Sequence, residues 1–232
     1  MSDISKIDRD NFIIPSFGRR RDRGLSNFQK KNLEELSKIF GIDLPDEKIN
    51  PIDFFKNNFR DLIVEIGFGH GEHLITNAER NQNYGFIGCE PFENGVADAL
   101  AGLYEKNLSN VKIFKGDARY LLEKFEDNSV TRFYVLFPDP WTKNKHHKRR
   151  LLNEKFLKFL KSKIQKNGIL IIATDCVEYM QEIVQIIEKI SDWKIYSSNF
   201  SWLEKTPSCF INTKYQQKAL SAGKKCYYLR LY

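Results

Sequence analysis

The sequence predicts an α/β fold, a doubly wound, mostly parallel, seven-stranded sheet with helices on both faces. Two observations support this prediction. From residue 62 onward, apolar segments of strand length alternate with segments of helical periodicity, and the first strand leads into a glycine-rich loop that opens a helix. The last strands in the sequence are compatible with one antiparallel strand at an edge of the sheet. The strands are expected at residues 62–66, 84–89, 111–115, 130–137, 169–174, 193–200 and 225–232.

The length and composition of the chain predict its domain organisation. A chain of 232 residues, 41% of them hydrophobic, is long enough for one sizeable core. Residues 1–50 are expected to form a basic arm followed by a helix, and residues 51–232 a single α/β domain. Helices are expected near residues 28–40, from 71, at 93–108, after 115, and at 152–165, 178–190 and 215–222.

Composition favours a cytoplasmic protein without a membrane span. The chain has neither an apolar run of the roughly 20 residues that a spanning helix needs nor a signal-peptide core at its N-terminus. Its cysteines are far apart and form no C-x-x-C pair, so neither a zinc site nor a disulfide framework is expected. They are Cys89, Cys176, Cys209 and Cys226.

Positive charge is concentrated in two segments. The whole chain carries a net charge of +7, whereas residues 143–166 alone contain ten Lys or Arg residues against one acid, Glu154. A second basic run, residues 19–23, lies near the N-terminus. Such concentrations are typical of contacts with a polyanion, although solvated lysine faces are the ordinary alternative. The charge pattern therefore favours nucleic acid as a partner.

The loop after the first strand predicts a nucleotide-type cofactor. Residues 65–71 read E-I-G-F-G-H-G, and glycines there permit a tight turn and a close approach of a ligand to the backbone. A dinucleotide fingerprint would need glycine where Glu72 stands, and a Walker A lysine is absent. Glu65 would repel a pyrophosphate but attract the ammonium and sulfonium groups of S-adenosylmethionine. Gly67 and Gly69 would cradle that cofactor.

Two further acids follow the next two strands. Glu90 closes the second strand, where a carboxylate can accept both hydroxyls of a ribose. Asp117 follows the third strand and is placed to reach an adenine amino group, although an aspartate in this position is often a helix cap. Because the carboxyl ends of parallel strands meet at one edge of the sheet, these acids are expected to line one crevice.

The fourth strand runs into the segment F-P-D-P-W-T-K-N-K-H-H-K-R-R, residues 137–150. Pro138 and Pro140 restrict the backbone on either side of Asp139, which predicts a rigidly presented carboxylate at the crevice. An aromatic residue and a basic cluster follow at once.

At this point the sequence resembles the bacterial tRNA (guanine-N7)-methyltransferase family, whose signature F-P-D-P-W-x-K-x-x-H-x-K-R-R is matched at every fixed position. The family motif E-I-G-x-G-x-G is matched as well, and the resemblance extends from about residue 62 to the C-terminus. It implies a class I, Rossmann-like methyltransferase domain and methyl transfer from S-adenosylmethionine to N7 of a guanine in the variable loop of tRNA. Asp139 would be the catalytic aspartate. The residues implied to bind the cofactor are Glu65, Gly67, Gly69, Glu90, Asp117 and Asp139.

The resemblance also implies residues for the RNA. Asp175, after the fifth strand, would hold the target base, and the chain departs from the family pattern at Gln216, where the family usually has Glu. An amide offers a guanine edge one acceptor and a competing donor, so Gln216 is expected to be the weaker partner. The other residues implied to contact the substrate are Lys143, Thr213, Lys214 and Tyr215. Those implied to grip the RNA are Lys145, His146, His147, Lys148, Arg149 and Arg150.

Three alternatives stay open from the residues alone. A methyltransferase of exocyclic amines would place a D/N-P-P-aromatic motif after strand four, but no P-P pair stands here. An oxidoreductase using NAD and a noncatalytic RNA-binding module are the others. His70 and His73 are spaced like a metal pair, but no further ligands cluster nearby, so both are assigned to the surface of the turn and no metal is predicted. The protein is expected to be a monomer or homodimer.

Overall fold

The computed structural model describes residues 24–190, 192–196, 211 and 213–232. Across these residues a six-stranded sheet lies at the centre of the molecule. Its strands are β1 (Asp61–Ile66), β2 (Tyr84–Cys89), β3 (Val111–Phe114), β4 (Val130–Leu136), β5 (Ile164–Thr174) and β6 (Tyr227–Leu231). The helices are α1 (Asn27–Phe40), α2 (Glu72–Arg80), α3 (Glu93–Glu105), α4 (Ala118–Glu123), α5 (Glu154–Lys163), α6 (Val177–Lys189) and α7 (Lys214–Ser221). Short 3₁₀ helices cover Pro51–Phe54 and Asn144–Arg149.

The strand order is β3-β2-β1-β4-β5-β6. The first five strands are parallel, and β6 pairs with β5 in the antiparallel sense. The chain runs outward from β1 to β3, then crosses back to place β4 on the other side of β1. In such sheets ligands bind in the crevice beyond the carboxyl ends of the strands at this reversal. The topology therefore directs attention to the loops after β1 and β4.

Helices cover both faces of the sheet, as expected. One apolar cluster includes Leu74 of α2 and Leu100 of α3 and joins them to one face. The other includes Leu121 of α4, Phe156 of α5 and Tyr179 of α6 against the opposite face. Each helix turns an apolar stripe inward, which is the arrangement that buries both faces of a parallel sheet.

Helix α1 packs against α3. Ser26 and Gln29 form a capping box at its start, and Gln29 Nε2 also donates to Asp98 Oδ1 of α3 at 3.0 Å. Lys112 Nζ donates to the carbonyl of Ile39 at 2.8 Å. The expected division at residue 50 stays a prediction, and the basic arm at residues 19–23 lies outside the described residues.

The sixth expected strand, residues 193–200, is only partly described. Ile195 forms an isolated antiparallel bridge with Leu231, and the Lys194 and Tyr232 backbones exchange hydrogen bonds of 2.9 and 3.0 Å. Residues 197–200 lie outside the described part. The sheet of the described residues thus has six strands rather than seven.

Strand β5 begins earlier than expected. Helix α5 ends at Lys163, and Ile164 already has extended backbone and pairs with Val130. Buried Ile164 therefore prolongs the strand where the sequence suggested the end of a helix. Within the described residues, no helix is both long and apolar enough to cross a membrane.

Candidate active site

A cleft of about 730 Å³ opens over the carboxyl ends of β1, β2 and β4. Its volume lies in the range of sites that enclose small-molecule ligands. Five residues that the sequence assigned to a cofactor line this one cleft: Gly67, Gly69, Glu90, Asp117 and Asp139.

The loop between β1 and α2 needs glycine at three alternate positions. Gly67, Gly69 and Gly71 all have positive φ, at 75°, 61° and 87°, in the left-handed region that other residues rarely adopt. A Cβ at Gly71 would also lie 2.8 Å from Cβ of Ala99, and one at Gly69 would lie 3.1 Å from the Tyr215 ring. The glycines therefore let the loop pass closely between α3 and α7.

Glu90 is buried at the wall of the cleft, with both carboxylate oxygens engaged. Its Oε2 accepts from the Gly69 amide at 2.8 Å, and its Oε1 accepts from the Phe92 amide at 2.9 Å. Burial raises the pKa of Glu90 to about 7; the two amide hydrogen bonds oppose the rise, and the charge of Asp139 adds to it. Each oxygen keeps lone pairs for further donors such as ribose hydroxyls.

Binding of an adenosine ligand is expected to depend on pH through Glu90. Two ribose O–H donors stabilise the carboxylate, so they lower a pKa that starts near 7. The ligand must then displace a proton below pH 7, and its affinity should fall about tenfold per pH unit there while staying flat above. Calorimetry with S-adenosylhomocysteine between pH 5.5 and 8.5 measures this. Glu90→Gln should bind weakly at every pH, and an equally steep slope in that variant would assign the dependence to another group.

Asp117 is both a helix cap and a wall of the cleft. It caps α4 by accepting from the Arg119 amide at 3.0 Å, and its two oxygens hold the Arg119 guanidinium at 2.9 and 2.5 Å. Arg119 itself is buried and lines the cleft, which the sequence reading missed. A contact between Asp117 and adenine stays a prediction.

Glu65 lies in a small recess beside the cleft, also lined by Gly67, Phe137 and Thr213. His73 Nδ1 is 2.7 Å from Glu65 Oε2, and both side chains are almost fully buried. The assignment of His73 to the turn surface was therefore wrong, because its ring packs between Glu65 of β1 and Tyr134 of β4. His70 is half-buried instead, with Nδ1 2.7 Å from Asp98 Oδ2.

Asp139 lies exposed at the cleft, on a backbone held in uncommon conformations. Phe137 and Trp141, on either side of the two prolines, have positive φ values of 51° and 43°. Bulky residues rarely adopt this region, and such strain is concentrated at functional sites. The segment thus presents Asp139 on a fixed turn.

The basic residues after Trp141 form the 3₁₀ helix, which folds back onto the indole. The His146 ring meets the Trp141 ring edge-on at 5.8 Å, and the Arg149 guanidinium lies 5.0 Å from the centre of the indole. Partial burial and the neighbouring cations lower the pKa of His146. The side chains of Lys143, Lys145 and Lys148 are exposed.

The structure contradicts the expectation that Arg150 grips the RNA. Its side chain is 2% exposed and packs over the Tyr179 ring at 4.7 Å. Nε donates to the carbonyl of Pro140 at 2.8 Å, and the guanidinium also bonds Glu182 and His147. A guanidinium enclosed in this way cannot reach a phosphate. It anchors the Asp139 turn to α6 instead.

The residues expected to hold the base lie near β5 and α7. Asp175 Oδ2 is paired with Lys224 Nζ at 2.8 Å. Thr213 caps α7 by accepting from the Gln216 amide at 3.0 Å.

The side chains of α7 differ in exposure. Gln216 is 1% exposed, so it is not a surface loop residue. Tyr215 lines both the recess and the cleft, Lys214 is exposed, and Lys218, which sequence reading missed, also lines the cleft. The role of Gln216 toward the base stays a prediction.

The antiparallel edge strand, the glycine loop and the acids at the strand ends together define a methyltransferase of the Rossmann-like class. Consistent with this, the sequence model of a family described as putative methyltransferase matches residues 60–229. The tRNA (guanine-N(7)-)-methyltransferase of Hyphomonas neptunium is 36% identical over 220 residues, which cover 92% of this chain and 97% of the relative. That of Wolbachia pipientis is 34% identical and covers 94% and 91% of the two chains. The chain belongs to the tRNA (guanine-N(7)-)-methyltransferase family.

Other relatives are longer. The bifunctional methyltransferase of Rickettsia felis is 39% identical over 212 residues, covering 90% of this chain but 38% of the relative. The chain thus spans about two fifths of the length of such bifunctional relatives.

Solved structures agree in fold. The 16S rRNA methyltransferase KamB superposes with a TM-score of 0.59 at 13% identity, covering 83% of this chain and 96% of the other. A 30S ribosomal methyltransferase from an uncultured bacterium gives a TM-score of 0.53 at 18% identity, covering 83% and 97%. At these identities they bear on the fold alone.

Proposed function

We propose that this protein transfers the methyl group of S-adenosylmethionine to N7 of a guanine in the variable loop of tRNA. The observation that carries the proposal is the rigid Asp139 turn, which stands at the cleft between the glycine loop and the basic 3₁₀ helix. Family membership supports this activity over an oxidoreductase or an exocyclic-amine methyltransferase, because the relatives named above carry this specificity in their names.

The residues of the cleft fit the cofactor. Positive-φ glycines allow a ligand close to the backbone. Glu90 is a buried carboxylate with a raised pKa, and hydrogen-bond donors of a polar ligand would stabilise its charged form. Arg119 holds Asp117 in one orientation beside the same space. When bound, S-adenosylmethionine supplies an electrophilic methyl group on a positively charged sulfur.

The chain's own residues then have two tasks. N7 of guanine has a free lone pair and no proton to remove, so no general base is required. What the site must do is align the base and stabilise the positive charge that develops on the purine. Asp139 supplies a fixed carboxylate for that charge, and Asp175 with Gln216 and the α7 residues would hold the base.

The RNA surface would extend from the cleft over the exposed lysines. Lys143, Lys145 and Lys148 are exposed in the segment that follows Asp139, and on α7 Lys218 lines the cleft and Lys214 is exposed. Exposed positive charges in both segments match a phosphate backbone that passes over the cleft. We further propose a cytoplasmic protein that acts without a metal, as a monomer or a homodimer.

The deciding experiment uses the protein, labelled S-adenosylmethionine and unmodified tRNA. The label should enter one guanine, and borohydride reduction followed by aniline should cleave the strand there, since this chemistry acts on N7-methylguanine. A label on an exocyclic nitrogen would resist cleavage and contradict the proposal. Tight tRNA binding without any transfer would instead indicate a noncatalytic RNA-binding protein.

A further inference from the structure

The pair of Glu65 and His73 is enclosed beneath the cofactor loop. The two side chains are 4% and 2% exposed, and Nδ1 of His73 lies 2.7 Å from Oε2 of Glu65. The His73 ring also meets the ring of Tyr134 edge-on, with 4.7 Å between centres. Tyr134 is the register partner of Glu65 across β1 and β4, so the sheet itself fixes this trio.

The contact between Glu65 and His73 joins the two ends of the glycine loop. Glu65 is the penultimate residue of β1, His73 is the second residue of α2, and the glycine loop lies between them. A carboxylate accepts hydrogen bonds, and a His73 tautomer that carries its proton on Nδ1 donates one to Glu65 Oε2. With Oε2 engaged by His73, the Glu65 carboxylate is held in one orientation.

The recess that Glu65 lines adjoins the cleft. Gly67, Leu136, Phe137 and Tyr215 border both spaces. Glu90 and Asp117 belong to the cleft alone, whereas Glu65 belongs to the recess alone. A ligand with a nucleoside at one end and an ammonium group at the other would therefore meet different acids with its two ends.

We propose that His73 is a positioning residue, which orients the Glu65 carboxylate toward the α-ammonium of the cofactor's amino-acid part. The inference rests on the proposed function for the identity of the cofactor. Without this bond Glu65 has several rotamers, and a charged hydrogen bond to the ligand must first restrict them. His73 therefore contributes to binding of the amino-acid end and not of the nucleoside.

Two ligands separate these ends. S-adenosylhomocysteine carries the amino-acid part, whereas 5′-methylthioadenosine has the same nucleoside without it. By calorimetry, His73→Phe, which keeps a ring but has no donor, should bind S-adenosylhomocysteine about tenfold more weakly and 5′-methylthioadenosine within about twofold of the unaltered protein. His73→Asn, which keeps a short N–H donor, should restore most of the affinity. In methyl transfer, His73→Phe should raise KM for S-adenosylmethionine about tenfold and leave kcat within about twofold.

An equal loss for both ligands would mean a merely structural role, and no loss for either would remove the proposed bond; both results overturn the inference. If His73→Phe does not fold, ¹⁵N spectra of the unaltered protein decide, with the ring signal assigned through His73→Asn. S-adenosylhomocysteine should shift the Nδ1 signal and 5′-methylthioadenosine should not, and equal shifts overturn the inference. An unaltered protein that binds neither ligand would refute the proposed cofactor itself, and the inference with it.

Discussion

Asp139→Asn is expected to lower the rate of methyl transfer by about two to three orders of magnitude, the size of effect seen when one fixed electrostatic partner of a transition state is removed. The amide keeps the shape of the side chain but not its charge, so it cannot stabilise the positive charge that develops on the purine. Because Asp139 is exposed, Tm should stay nearly unchanged. Single-turnover transfer with saturating cofactor and tRNA measures the chemical step directly.

A second measurement tests whether the charge of Asp139 lies close to Glu90. That charge helps to raise the pKa of Glu90, so Asp139→Asn should move the midpoint of the Glu90 pH dependence below 7. Glu105→Gln is a matched control, because this exposed acid ends α3 about 20 Å along the helix from the end that meets the cleft. Near-normal transfer by Asp139→Asn would show that Asp139 is not catalytic.

The acids at the strand ends illustrate what the sequence could predict. Glu90 and Asp117 stand 27 residues apart in the chain, yet both line one cleft. Their proximity follows from topology alone, since parallel strands joined by helices bring their carboxyl ends to one edge. The glycine loop and the Asp139 turn were predictable for a different reason, because the backbone preferences of glycine and proline act over a few residues.

Side-chain partners from distant elements were not predictable. His73 and Arg150 are polar residues in polar stretches, and nothing in their own segments indicates burial. Each is buried by a partner that the fold supplies: Tyr134 of β4 for His73, and Glu182 of α6 for Arg150. The number of charged residues in a segment does not distinguish an arginine that faces solvent from one that is buried.

Gln216 and the sixth expected strand show a related limit. The short helix expected at residues 215–222 is confirmed as α7, but nothing in its sequence showed that Gln216 faces the interior. Of the strand expected at residues 193–200, the described part contains only the bridge between Ile195 and Leu231. Edge strands and short helices depend more on the neighbours that cover them than on their own propensities.

Substitution of Arg150 should lower stability and leave the salt dependence of tRNA binding unchanged, whereas substitution of the exposed lysines beside it should do the reverse. Arg150→Ala is expected to lower the free energy of unfolding by about 3 kcal/mol, because it removes a buried cation from Glu182 and opens a gap against Tyr179. Losing its bond to the carbonyl of Pro140 should also loosen the Asp139 turn and slow methyl transfer. Urea denaturation and single-turnover transfer measure the two effects.

The double variant Lys145→Ala, Lys148→Ala is the matched comparison. Both lysines are exposed, so stability should change little, but tRNA affinity should depend less on salt, with the log-log slope flatter by about 1.5 units for two lost phosphate contacts. Arg150→Ala, measured below its unfolding temperature, should keep the slope of the unaltered protein, because a buried guanidinium releases no counterion. A flatter slope in Arg150→Ala would mean that Arg150 leaves its pocket to meet the RNA. An unchanged slope in the lysine variant would place the phosphates on another surface, with Lys214 and Lys218 of α7 the next to substitute.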